Sequence, residues 1–321
     1  MRMSIVALVF VFSASLACAQ GTKNFTAIDD PRWSKTSPTT PKELVGVKGK
    51  RIHLPDLDNR KYHHHDPSNI IKYNGQYYLW YTQHNLTTNG WDGFIVWATS
   101  PNGTDWTTHG TAIPRGEPGT LDDKAAITSY VVPHDGKYYL FYTAFGSLSE
   151  YKGITWAVAE SPDGPWTKSG KKLLWPSGNP NDWDGTHNDD ANVIFFNNKW
   201  FLYYKGKPPV ESTRNGVATS DNLLGPYEKY AGNPVFAGHA SSAWVHRDGV
   251  AAFGFKTFWS EDGFHFVQTS DWSPGTVGLY CPENFGNGSN NRGVTWGLVV
   301  IKKPSPRHIG RLEVPLSLKK Y

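Results

Sequence analysis

Three stretches of this sequence are versions of one another: NGQYYLWYT (Asn74–Thr82), DGKYYLFYT (Asp135–Thr143) and NNKWFLYYK (Asn197–Lys205). They start at 74, 135 and 197, so 61 and then 62 residues separate them. Each opens on an Asn/Asp-Gly-type turn and runs on as an apolar, aromatic alternation, the pattern of a strand announced by a tight hairpin. A fainter copy, DGVAAFGFK, starts at Asp248. A strand-like run precedes each copy: DPSNIIKY, ITSYVVPH, DDANVIFF and ASSAWVHR. A third strand and a Ser-rich turn follow, as in VWATSPNGTDW and WAVAESPDGPW, and Trp106, Trp166, Tyr227 and Phe266 open a fourth. Four strands per repeat of 50–60 residues is the layout of propeller blades. VTWGLVVIKK and HIGRLEVPL supply a fifth unit near the C-terminus. The sequence therefore predicts an all-β, five-bladed β-propeller. A β-sandwich is the competing arrangement, and the regular four-strand repeat argues against it.

The chain has 321 residues, 19% charged and 38% hydrophobic, which is a globular composition. Its 14 Trp, 16 Tyr and 16 Phe suit half-buried pleated surfaces, most of them as core. Residues 1–19 read as a signal peptide: Arg2, an apolar run from Ser4 to Leu16, and the small-x-small site Ala17-Cys18-Ala19. That run is too short for a membrane span, and no other stretch is long enough. A lipid anchor on Cys18 is the lesser alternative. The expectation is a secreted or periplasmic protein. Once Cys18 is removed, Cys281 has no partner for an intrachain disulfide. Residues 20–60 are polar and Pro-rich and read as an arm lying on a catalytic propeller of residues 61–321. A net charge of +4 without a Lys/Arg block argues against nucleic acid and weakly favours an acidic glycan.

Propellers set the first strand of each blade against a central channel, so residues where those strands begin converge at one mouth. Counting eight back from each turn aligns Asp66 with Ile127, Asp189 and Ala240, and His65 with Ala126, Asn188 and His239. Two repeats thus bring carboxylates to the mouth, Asp66 and the pair Asp189–Asp190, and two bring imidazoles, His65 and His239. Facing carboxylates are the working groups of glycoside hydrolysis. The plainer alternative is that such Asp residues bond turn N–H groups. Glu283, at the start of the fifth unit, could face the same mouth, and Arg214 and His187 could contact sugar or sulfate. In the run His63-His64-His65, alternate side chains share a face, so only His63 and His65 could act together. The spacing lacks a structural zinc pattern. No metal or cofactor is expected beyond a cation in the channel.

HDPSNIIKYNGQYYLWYT (His65–Thr82) resembles the first-blade signature of the propeller glycosidases of families 43 and 117, where the Asp before Pro is the general base. DDANVIFFNNKWFLYYKG resembles their second conserved Asp segment. NPVFAGHASSAWVHRDGVAAF and GLYCPENF are similar to segments of family 117. That resemblance, over about residues 60–305, implies an exo-acting, inverting α-1,3-(3,6-anhydro)-L-galactosidase acting on agar fragments. It implies Asp66 as base and His239 as acid, with Asp189 or Asp190 holding the sugar and raising the histidine's pKa. Where family 117 carries Glu after that His, this chain has Ala240, and its arm lacks the family's helical dimerisation segment. On the family 43 pattern, an arabinofuranosidase or xylosidase, the acid would be Glu211. A sugar-binding propeller without chemistry is the third reading. An oligosaccharide is the expected partner; the oligomeric state is left open.

Overall fold

The computed structural model describes residues 38–208, 212–286 and 293–317. Its strands form five antiparallel sheets. Blade one runs from His63–His65 through Gln76–His84 and Phe94–Ser100 to Thr107–Ile113. Blade two comprises Ala125–His134, Lys137–Gly146, Ser149–Ala159 and Thr167–Lys168. Blade three is built on Asp189–Phe196, Lys199–Gly206 and Arg214–Ser220, and blade four on Ser242–His246, Gly249–Phe253, Thr257–Ser260 and Val267–Ser270. Blade five takes Val277–Leu279, Gly293–Ile301 and His308–Ser317. Its outer strand is Lys50–His53, from the arm, paired with Gly310–Glu313. The ring is therefore closed by one N-terminal strand on the last blade. Among the described residues no helix is long and apolar enough to cross a membrane.

The repeated turns sit where the sequence places them. Asn74, Asp135 and Asn197 all have φ between 46° and 48°, the left-handed geometry of tight hairpins that Asn and Asp tolerate. The aromatic alternation then feeds five cores, one at each seam between neighbouring blades. Trp80, Tyr142 and Leu140 fill the seam of blades one and two. Tyr204, Phe141 and Val193 fill the next, and Tyr203, Phe236 and Phe258 the third. Trp244 and Leu312 join blades four and five, and Tyr81 and Leu298 join five to one. The seams are close-packed: a Cβ on Gly278 would lie 1.6 Å from the Ser68 carbonyl oxygen. Blades also meet through buried amides. The Asn69 side chain accepts from the Val131 N–H and donates to the Val131 carbonyl, both at 2.8 Å, capping blade two from blade one. Replacing Asn69 by Ala orphans both backbone groups at about 1–3 kcal/mol each. Urea titration should show a midpoint lowered accordingly; an unchanged midpoint would rule out the amide as a blade tie.

Candidate active site

In blades one to four the inner strand bends sharply at one residue where it meets the channel mouth. These residues are Asp66 (φ 49°), Thr128 (54°), Asp190 (55°) and Ala240 (47°). For residues with a Cβ this backbone costs about 1–2 kcal/mol. Because Thr and Ala adopt it as well as Asp, the bend belongs to the architecture. The side chain placed on it differs from blade to blade. All four line the narrow channel of about 40 Å³ at the hub. The bend corrects the sequence alignment: the counterpart of Asp66 is Asp190 rather than Asp189, and that of blade two is Thr128 rather than Ile127. Bend and turn are eight residues apart in blade one but seven in blades two, three and four, where the turns begin at Asp135, Asn197 and Arg247. The residues preceding the bends are His65, Ile127, Asp189 and His239, so the pairing of His65 with His239 stands and Asn188 and Ala126 fall out of it.

Above the channel lies a cleft of about 240 Å³ lined by His65, Asp66, Trp91, Asp189, Asp190, Lys205, His239, Lys302 and Arg307. Asp66 accepts a short hydrogen bond from His65 Nδ1. Burial works to raise the Asp66 pKa, but the His65 ring, with Lys205 and His239, more than offsets it and holds the carboxyl below the usual range. His65 Nε2 is buried with no hydrogen-bond partner among the described residues.

Lys205 is the hub of the next layer. It is buried, with Nζ 2.9 Å from Asp189 Oδ2 and 2.6 Å from Asp190 Oδ2. Asp189 is 1% exposed and also accepts from Thr143 Oγ1 (2.6 Å) and the Asp190 N–H (2.8 Å). Burial alone would raise its pKa; Lys205 and these donors drive it far down, so it stays a carboxylate. Asp190 goes the other way. Burial, then the neighbouring Asp189 carboxylate, raise its pKa well above the ordinary value against the pull of Lys205, and the Asp66 charge adds to the effect. The two carboxyl groups of the cleft are thus pushed in opposite directions, Asp66 down and Asp190 up.

His239 is exposed at the rim, its Nδ1 3.4 Å from Thr213 Oγ1. Asp66 and Asp189 act to raise its pKa, as expected, but the Lys205 ammonium and then desolvation outweigh them and hold it at about 4.

Among solved structures, a family 117 glycoside hydrolase from the marine bacterium Zobellia galactanivorans is 29% identical, covering 87% of this chain and 93% of that one with a TM-score of 0.78. An endo-arabinase from Bacteroides thetaiotaomicron (16% identity, 85% and 100% coverage, TM-score 0.59) shares the fold. So does a family 43 enzyme from Xanthomonas citri (12%, 83% and 90%, 0.56). No family model and no curated protein matches the chain. This chain is a five-bladed propeller glycoside hydrolase resembling family 117.

Other expected site residues of the hydrolase lie outside the cleft lining. His63 accepts the Arg307 N–H at Nδ1 (3.0 Å) and packs, like His65, on the His84 ring, at 5.0 and 4.8 Å between centroids. His64 turns the opposite way, to Gln83 Oε1 at 3.1 Å, as strand alternation requires. His187 bonds Thr186 Oγ1 at 2.7 Å, and burial followed by Lys152 holds its pKa at about 4. Arg214 begins a strand of blade three opposite Ala237. Glu283 lies on a 3-10 turn, Pro282–Phe285, where it accepts from Cys281 Sγ at 3.6 Å. Glu211 falls outside the described residues, as does the export signal expected over residues 1–19. The described residues whose ligand atoms come within 4.8 Å of one another are His53, Asp58 and His308, none of them in the histidine run, with the Arg60 guanidinium 2.6 Å from Asp58.

Sequence reasoning missed Lys205, although a signal was present. It ends the repeat NNKWFLYYK at the position where the other two copies carry Thr82 and Thr143. One lysine in a register of threonines, next to two aspartates on the paired strand, marks a buried ion pair. Lys302, Arg307 and Trp91 carry no repeat signature.

Proposed function

We propose that this hydrolase removes a terminal sugar of the 3,6-anhydro-galactose type from red-algal galactan oligosaccharides, with inversion. The observation that carries the reading is geometric: Asp66 and Asp190 stand on equivalent bends of blades one and three and line one cleft, where burial and neighbouring charges push the Asp66 pKa down and the Asp190 pKa up. Two carboxyl groups driven apart in pKa are an acid–base pair. Asp66 takes a proton from water as the water oxygen attacks the anomeric carbon. Asp190 gives its proton to the departing glycosidic oxygen, and the carboxylate it becomes is already beside the Lys205 ammonium. His65 holds the Asp66 carboxylate in place through Nδ1. A cleft of about 240 Å³ suits one ring at a chain end rather than a stretch of polymer, since drug-sized ligands take roughly 300–1,000 Å³.

The test is incubation with neoagaro-, carrageenan- and arabinoxylan-oligosaccharides while released monosaccharide is measured. Galactan turnover supports the reading; arabinoxylan turnover alone moves it to a family 43-like activity; binding without turnover across the panel leaves a sugar-binding propeller.

A second donor, His239, is favoured by the resemblance and by its place at the rim. The pH profile of kcat/KM separates the two, because it reports the free enzyme. Rate falls as pH drops through the lowered pKa of Asp66 in both cases. With Asp190 as donor the rate holds well above pH 4 before falling as Asp190 ionises. With His239 it falls about tenfold per unit as pH rises past about 4.

A further inference from the structure

We propose that the sugar bound in this cleft, or the one next to it, carries an anionic group, an ester sulfate or a carboxylate, held by cations at the cleft rim. The proposal rests on the glycosidase reading and adds the charge of the substrate. Two cations line the cleft on the side of blades five and one. Lys302 and Arg307 are exposed, on the connection between Gly293–Ile301 and His308–Ser317. The Arg307 backbone is fixed to the histidine run: its N–H donates to His63 Nδ1 at 3.0 Å and its carbonyl accepts from the His64 N–H at 2.9 Å. The connection is thus anchored at the wall of the site.

Two more cations stand beyond the Trp91 wall. Lys152 Nζ lies 4.5 Å from the Trp91 ring centroid and 4.4 Å from that of Phe145. Lys124 Nζ lies 4.9 Å from the same Phe145 ring. Two ammonium groups thus share one aromatic ring beside the cleft. Among the described residues none of these four cations is engaged in an ion pair with a carboxylate. Inside the cleft Asp189 and Asp190 share the Lys205 ammonium, so Asp66 is the carboxyl group of the lining without a lysine or arginine partner and faces Lys302 and Arg307. Unpaired like charges around an opening are costly to keep together and raise the local concentration of a substrate of opposite sign. Arginine supplies the planar fork that fits sulfate or carboxylate, and lysine a point charge.

The experiment compares matched ligands. One pair is a sulfated carrageenan oligosaccharide and its desulfated form; the other is a uronate-terminated oligosaccharide and its carboxyl-reduced form. Binding is measured by calorimetry on Asp66→Asn, and kcat/KM on the active protein. The expected result is at least tenfold tighter binding of the charged member of one pair, weakened by added salt. Lys302→Gln/Arg307→Gln and Lys124→Gln/Lys152→Gln should reduce that preference while binding of the neutral form stays level. Whichever pair shows the preference identifies sulfate or carboxylate. Equal binding of charged and neutral members, or a loss from the double variants that falls equally on both, overturns the proposal. Charged-ligand binding with no turnover of any substrate leaves the anion site standing and removes the glycosidase reading. Turnover that prefers neutral ligands does the reverse.

Discussion

Asp66→Asn should reduce kcat about 10²–10⁴-fold, the usual worth of a general base, while the fold and sugar binding persist. The amide has nearly the shape of the carboxylate and suits a bend with φ 49°, because Asn tolerates left-handed backbone as well as Asp does. It cannot take a proton from water. The His65 Nδ1–H that donates to Asp66 finds the amide oxygen in the same place. The measurement is kcat on the best oligosaccharide of the panel, paired with circular dichroism and calorimetric binding. A variant within threefold of the parent would remove Asp66 from the chemistry. Azide added to the variant offers a further readout: a nucleophile that needs no base should restore turnover, as expected where water activation is the lost step.

Lys205→Met should be the most damaging single change to stability in the site. Its ammonium is shared by Asp189 at 2.9 Å and Asp190 at 2.6 Å, all three buried. Methionine fills a similar volume but strands the ionised Asp189 carboxylate away from water. Breaking a buried pair from one side costs about 3–5 kcal/mol. Chemical denaturation should show that loss. The triple change Lys205→Met/Asp189→Asn/Asp190→Asn should recover much of it, since no charge is then stranded. A Lys205→Met protein as stable as the parent would mean that the ion pair is not what holds blade three at the hub. The same substitution has a predicted effect on the rim: Lys205 is the leading reason that the His239 pKa sits at about 4, so the ring should titrate higher without it. A histidine titration by NMR reads this directly.

Much of the site was legible because repeats convert sequence distance into spatial equivalence. Asp66, Asp189, His65 and His239 could be named from their offsets to the turns, with Asp190 beside Asp189, and the structure gathers them at one cleft. The one-residue slip between Asp189 and Asp190 was not visible. A fixed count assumes equal strand lengths, whereas blades two and three shift register between Ile127 and Tyr130 and between Asp189 and Asn192. That slip exchanges roles: it puts Asp190 on the bend and buries Asp189 as the anchor of Lys205. The closing strand Lys50–His53 was hidden for a different reason. Its four residues, KRIH, carry no alternation of their own and become a strand only by pairing with Gly310–Glu313.

What the sequence determined alone is the set of elements and their count. Asn/Asp-Gly-type turns and alternating aromatics act over fewer than ten residues, and four such units with a fifth pair of strands near the C-terminus leave a closed ring as the way to bury every seam. What only the tertiary structure decided is the ionisation of the groups at the hub. The pKa values of Asp66, Asp190 and His239 all feel the Lys205 ammonium and burial, which act alongside the effects of His65 on Asp66 and of Asp189 on Asp190 and are set by which blades face one another. Electrostatic energy runs through space, and positions more than 100 residues apart along the chain, such as Asp66 and Lys205, become neighbours only when the propeller closes.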